Sequence, residues 1–205
     1  MNTTIKGPDG KARCRWCGAA PEFLHYHDTE WGFPEGDDHR LFEKLTLESF
    51  QSGLSWRTIL AKRENFRAAF HDFDFDRIAR FTERDLDRLL KDSGIVRHRG
   101  KIEAAINNAR RAQELARREG SLAAYVWQYE PAMDELAEPQ TASTSPQSAA
   151  LSKDLKRQGW KFVGPTTVYA FMQAMGLIND HAGGCVIRAE VERARNAFAR
   201  PPVPR

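Results

Sequence analysis

The sequence predicts an all-α chain. Apolar residues recur at helical spacing through most of the stretch between Asp37 and Met175, capping residues and glycines punctuate that pattern, and runs of alternating β-branched residues are nearly absent. Residues 1–13 read as a flexible N-terminal tail, and residues 14–33, aromatic, His-rich and aperiodic, as an ordered loop. Asp37 or Asp38 caps a first helix carrying Leu41, Phe42, Leu45 and Ser49, which Gly53 ends. Ser55 caps a second, with Ile59, Leu60, Phe66 and Phe70. Thr82 and Asp85 form a capping-box pattern ahead of Leu86, Leu89 and Leu90, and Gly94 breaks the chain. A long helix is expected from about Arg99 to Glu119, with Ile102, Ala105, Ile106, Ala109 and Ala112 on one face, and a short one from Ser121 to Trp127. Residues 130–147, rich in Pro, Ser, Thr, Ala and Gln, read as a loop within one domain. Helices over Ser148–Gln158 and Thr166–Met175 flank a turn from Gly159 to Pro165. Residues 188–205 form a C-terminal extension: an amphipathic stretch, Arg188–Phe198, then a disordered tail with Pro201, Pro202 and Pro204.

Composition narrows the function classes. The 205 residues are 41% hydrophobic and 29% charged, which is ordinary for a globular chain and unlike a disordered, collagenous or disulfide-rich one. No apolar run approaches the roughly 18–20 residues of a membrane span, and the polar start Met1–Gly10 lacks the apolar core of a secretory signal. Thirty-one Lys and Arg against 28 Asp and Glu give +3, which permits a polyanionic partner without demanding one. Three cysteines, an odd number, argue against a disulfide framework and for a reduced, cytoplasmic compartment.

Four patterns carry chemistry. Cys14-x-x-Cys17 near the start and His181-x-x-x-Cys185 near the end have the donor types and spacings of tetrahedral zinc, with His27 a rival to Cys17 for the fourth position and spacing slightly favouring Cys17. Four protein ligands leave no open position, so such a zinc is structural. Second, at about 100° per residue Glu48 falls within roughly 20° of Leu41, on the apolar face of its helix. A buried carboxylate is expensive unless paired or used, so Glu48 is either paired with an Arg or Lys or set in a pocket to receive a donor. Third, Trp16, Phe23, Tyr26, Trp31, Phe33 and Trp56 crowd the same early segment, as core aromatics or as the walls of a site for a flat heteroaromatic ligand. Fourth, Lys161–Thr167 is a Gly-bearing turn opening a helix, where amides and the helix dipole suit a phosphate, and Arg97-His98-Arg99-Gly100-Lys101 is a second basic turn before a helix.

Taken in order, Tyr26-His27-Asp28-x-Glu30-Trp31-Gly32, Leu47-Glu48, Gly53-Leu54-Ser55-Trp56 and Lys62-Arg63-Glu64-Asn65 resemble the 3-methyladenine DNA glycosylase I family. So do Arg97–Lys101, Ser143-Thr144-Ser145, Lys161-Phe162-Val163-Gly164, and Asn179-Asp180-His181 with Cys185. The resemblance implies a helix-hairpin-helix glycosylase fold, a single domain over residues 14–187, and a structural zinc joining its two ends through Cys14, His27, His181 and Cys185, with Cys17 a bystander. It assigns Glu48 to the base pocket, Trp56 to stacking, and Tyr26, Trp16 and Phe23 to the walls, Phe23 standing where the family often has Tyr.

The activity so implied is excision of 3-methyladenine from double-stranded DNA by a monomer that flips the base out and leaves an abasic site. A base methylated at N3 is cationic while attached to the sugar and is already a good leaving group, so a carboxylate and electron-rich rings suffice to hold it. Asp180 is expected to serve the local turn rather than the sugar, and no catalytic lysine stands out, so lyase activity is not expected. Lys161, Gly164 and Thr166 are expected at the DNA backbone, and Leu54, beside the pocket, as a wedge into the gap left by the base. The competing reading is a non-catalytic zinc-stapled module that binds damaged or distorted DNA; a buried Glu48 separates the two, because a pure binder does not need one.

Overall fold

A computed structural model describes residues 3–132 and 135–202. Eleven α-helices among these residues build the fold. The all-α expectation needs one correction: residues 3–13 are not a loose tail, because β1 (Thr4–Lys6) and β2 (Ala12–Cys14) pair antiparallel with Thr4 opposite Cys14, and residues 1 and 2 lie outside the described residues. Arg13 holds this hairpin down by reaching Asp9 at 2.5 Å and Asp28 at 2.9 Å. The hairpin also meets the far end of the chain, where the Val186 N–H donates to the Ala12 carbonyl at 2.9 Å.

Residues 14–33 are a second correction. They hold a 3-10 turn, Arg15–Ala19, and α1 (Pro21–Thr29). Pro21 at the first helical position starts α1 without any side-chain cap, and that absence hides it from a reading based on caps. α2 (Asp38–Gln51) starts where Asp37 accepts the Arg40 N–H at 2.9 Å. The helix expected from Ser55 is two, α3 (Trp56–Ala61) and α4 (Arg63–Ala69), divided at Lys62; a further short helix, α5 (Phe75–Ile78), follows. α6 (Glu83–Lys91) has its capping box, with Asp85 accepting the Thr82 N–H at 2.9 Å. α7 (Arg99–Glu119) and α8 (Leu122–Val126) stand close to where the spacing puts them. α9 (Pro146–Arg157) begins earlier than expected because Ser145 caps it and Pro146 opens it. The 130–147 segment is tied to the body at Gln140, whose N–H donates to Asp180 at 2.8 Å.

α10 (Pro165–Ala174) packs on α9 across a short hairpin and on α2, over the core of Leu41, Phe42, Leu47, Phe50, Val168 and Phe171. Gly176 follows α10 at φ 78°, and a side chain there would meet the backbone of Phe33 and Pro34 at 2.5–2.6 Å. This close approach locks the end of α10 against the segment that carries Trp31. α11 (Arg188–Ala197) is the expected C-terminal helix. It is packed rather than free, with Val191 buried and Phe198 against Trp127 at 4.7 Å between ring centroids. Pro201 and Pro202 are described, and Pro204 lies outside the described residues.

Candidate active site and metal centre

Four soft or borderline donors from three parts of the chain converge at one buried point. Cys14 ends β2, His27 lies on α1, and His181 and Cys185 lie between α10 and α11; their ligand atoms all fall within 4.8 Å of one another. Cys14 Sγ is 3.6 Å from His181 Nδ1, and Cys185 Sγ is 3.5 Å from His27 Nε2 and 3.6 Å from His181 Nδ1. A tetrahedral ion with bonds of about 2.3 Å to sulfur and 2.0–2.1 Å to nitrogen requires an S···N edge of about 3.6 Å. The remaining ring nitrogens are already engaged: His27 Nδ1 with Asp28 at 2.7 Å, and His181 Nε2–H donating to the Trp31 carbonyl at 2.9 Å. Each imidazole is thus fixed with its other nitrogen facing the cluster, as ligand histidines require. The thiols titrate as a pair, in which contact with Cys14 draws Cys185 down while contact with Cys185 and burial hold Cys14 up. Cys17, which spacing slightly favours, is not in the cluster; it packs with Ala20 and Phe23.

Tyr26 and His27 are neighbours on α1, yet His27 belongs to the Cys/His cluster and Tyr26 faces a cavity of about 170 Å³ lined by Trp16, Tyr26, Trp31, Glu48, Trp56 and Gln173 among others. Tyr26 and Trp56 lie 5.4 Å apart between centroids, and Trp16 meets Trp31 edge-on at 5.0 Å. Trp56 Nε1 is buried without a hydrogen-bond partner. Phe23 does not line this cavity; it backs the wall, edge-on to Trp16 at 5.9 Å.

Glu48 is 7% exposed, as its helical face demands. It lines the cavity, and Lys44 Nζ stands 3.1 Å from its Oε1. Lys44, equally buried, also donates to Tyr26 Oη at 2.5 Å and sits 3.4 Å above the Trp56 ring centroid. Burial pushes the Lys44 ammonium down, with Glu48 opposing, and burial followed by the Glu48 charge pushes the Tyr26 phenol well up, so Tyr26 stays protonated. Asp180 does not serve its own turn as expected: it accepts the Gln140 N–H and Gln173 Nε2 at 2.6 Å, and so ties the 130–147 segment and α10 together.

The hairpin between α9 and α10 turns three carbonyls inward. Asn108 Nδ2 donates to Lys161 O at 2.9 Å, Ser49 Oγ to Phe162 O at 2.9 Å and Ser152 Oγ to Val163 O at 2.7 Å. Phe162 is held at φ 56°, a left-handed conformation costing roughly 1–2 kcal/mol outside glycine. A Cβ on Gly164 meets nothing within 4 Å, so the hairpin presents open surface there, and Thr166 stands in the first turn of α10. Leu54 and Phe162 are the large apolar side chains left exposed among the described residues. Lys101, in the other basic turn, is buried and donates to the Phe50 and Ser52 carbonyls at 2.8 and 2.5 Å, closing the end of α2.

The methyladenine glycosylase family matches residues 16–189. The chain belongs to this family. It is 48% identical over 177 residues to DNA-3-methyladenine glycosylase 1 of Escherichia coli (strain K12), covering 84% of this chain and 95% of the relative. A crystal structure of a 3-methyladenine DNA glycosylase I superposes with a TM-score of 0.79 at 47% identity, covering 85% of this chain and 98% of the other. Another, solved in complex with 3-methyladenine, superposes with a TM-score of 0.78 at 38% identity, covering 83% and 94%. The family match begins just after the β1–β2 hairpin and stops at the start of α11, so both packed extensions lie almost wholly outside it. Among the described residues no helix is long and apolar enough to cross a membrane.

Sequence reasoning missed Lys44, Gln173 and Asn108. Lys44 had a signal, because it precedes Glu48 by one helical turn and shares its face. Gln173 had none short of the contact with Asp180, and the two bonds between Asn108 and the Lys161 backbone span 53 residues.

Proposed function

We propose that this protein hydrolyses the N-glycosidic bond of 3-methyladenine in double-stranded DNA, acting as a cytoplasmic monomer that releases the free base and leaves an abasic site. The observation carrying the reading is Glu48, a carboxylate 7% exposed at an aromatic-walled cavity. The extruded base stacks on Trp56, and a Glu48 oxygen accepts from its exocyclic amine. Tyr26 and Trp16 close the walls, with Phe23 behind them. Trp56 Nε1, buried and unpartnered, supplies a donor at the same place. Cleavage sends the bonding electron pair into the base, which leaves neutral, and water captures the sugar cation. Lys44 is held by Glu48, Tyr26 and Trp56 and is not a free amine nucleophile, which favours hydrolysis without strand cleavage. A non-catalytic DNA-binding module has no use for a carboxylate at such a cavity.

On the DNA side, the hairpin amides of Phe162, Val163, Gly164 and Thr166 take a backbone phosphate, Lys161 adds side-chain charge, and Leu54 fills the space vacated by the base. Residues 14–187 form the glycosylase domain. Cys14, His27, His181 and Cys185 hold one structural zinc that fastens β2 to the α10–α11 segment; the S···N distances and the fixed imidazoles support this donor set.

Incubation with freshly methylated duplex DNA tests the reading. Free 3-methyladenine and abasic sites are expected in equal amounts, with strand breaks only after alkali. Tight binding without base release is the contrary result and returns the protein to the class of damage-binding modules.

A further inference from the structure

We propose that Lys44 is a charge-balancing residue of the base pocket, whose ammonium repels the cationic lesion and so favours its conversion to the neutral leaving base. The inference rests on the reading of Glu48 and Trp56 as the groups that hold the base. Lys44 Nζ is 3.1 Å from Glu48 Oε1, 2.5 Å from Tyr26 Oη and 3.4 Å from the Trp56 ring centroid, so the ammonium occupies three of the groups that line the base cavity. Next to it lies a larger cavity of about 390 Å³, lined by Lys44, Tyr26 and Trp56 together with charged side chains. There Arg63 is paired with Glu30, and Arg40 and Arg67 with Glu43; Lys44 lines this larger cavity and reaches the base cavity from behind its wall, through Glu48, Tyr26 and Trp56.

A carboxylate alone over-stabilises the wrong state. The base is cationic while bonded to the sugar. As the C1′–N9 bond breaks, its electron pair enters the ring, the base becomes neutral, and the positive charge passes to the sugar carbon, which water captures with loss of a proton to solvent. Glu48 unopposed binds the ground state more strongly than the transition state, and such binding lowers the saturation concentration without accelerating the chemical step. A fixed ammonium beside the carboxylate offsets that attraction and acts most strongly on the charged ground state. Lys44 keeps the hydrogen-bond acceptor of Glu48 available while cancelling much of its field.

Single-turnover excision on freshly methylated duplex separates the two effects. Lys44→Met is expected to lower the half-saturating concentration and the saturated rate constant together, each by about tenfold, which corresponds to about 1.4 kcal/mol. Inhibition by neutral free 3-methyladenine and binding to unmodified duplex should stay within about twofold. A fall in rate with an unchanged or raised half-saturating concentration overturns the proposal and leaves Lys44 a structural partner. Should Lys44→Met fail to fold because Glu48 is left unpaired, the comparison moves to Lys44→Met/Glu48→Gln against Glu48→Gln. Tighter binding of methylated duplex and slower release in the double variant support the repulsion, and equal values reject it. If Glu48→Gln and Trp56→Ala both release base at the wild-type rate, the pocket reading itself has failed; if they are impaired and the Lys44 comparison is flat, only this inference has.

Discussion

The Cys/His cluster and the aromatic-walled cavity share α1, where His27 serves one and Tyr26 the other, yet they are built on opposite plans. The cluster gathers distant segments: its Cys14–His181 contact spans 167 residues, every donor is buried, and both imidazoles are aimed by a neighbouring hydrogen bond. The cavity draws its charged pair from one turn of one helix, α2, and leaves a buried Trp56 N–H unpartnered. The first arrangement resists change because long loop closures depend on it; the second keeps unmet polar capacity for a ligand.

The largest effect that sharpens this contrast is expected at the cluster. Purified protein should carry close to one zinc per chain by elemental analysis. Cys185→Ser should lose it and lower the midpoint of thermal unfolding by roughly 10 °C, since site closure is folding energy. Cys17→Ser should keep the metal, because Cys17 packs with Ala20 and Phe23 outside the donor set. Zinc kept in Cys185→Ser and lost in Cys17→Ser would reverse the ligand assignment.

At the cavity, Trp56→Ala should cut excision about ten- to a hundredfold, from a stacking energy of about 1–3 kcal/mol, and should leave the zinc in place. Loss of zinc in this variant would mean that the two sites are not separable. The smallest of these effects is expected at the hairpin. Gly164 has φ −64° and open space around its Cβ position, so Gly164→Leu should fold normally. It should weaken binding to methylated and unmodified duplex alike by several-fold, because phosphate contacts carry no sequence. Unchanged binding to both, read by fluorescence anisotropy, would remove the hairpin from the DNA interface.

How much was legible differs between the two regions for a physical reason. The cluster's donor types stand out in sequence, but spacing alone ranks Cys17 above His27. The choice is made by α1, whose uncapped start at Pro21 gives no cap signal, and the family resemblance picked His27 without it. Glu48 was legible because helical periodicity fixes its face, and its partner lay one turn away in the same pattern. The β1–β2 hairpin was not legible, since strands of three residues carry too little alternation to register and are held by the Arg13 ion pairs and by Val186. The division of α3 from α4 at Lys62 likewise leaves the apolar spacing intact on both sides.

Glu48→Gln tests the central claim most directly, and the structure makes its control explicit. The substitution keeps the side chain's size and an oxygen for Lys44, but it removes the countercharge of a buried ammonium, so thermal unfolding and zinc content are measured beside activity. A charge-assisted hydrogen bond contributes about 1.5–3 kcal/mol. Release of 3-methyladenine from methylated duplex should therefore fall about ten- to a hundredfold, while the folded protein keeps its metal and its affinity for unmodified DNA. Full release by a folded, zinc-loaded Glu48→Gln protein would contradict the account, leaving Glu48 a structural partner of Lys44 and the catalytic site elsewhere.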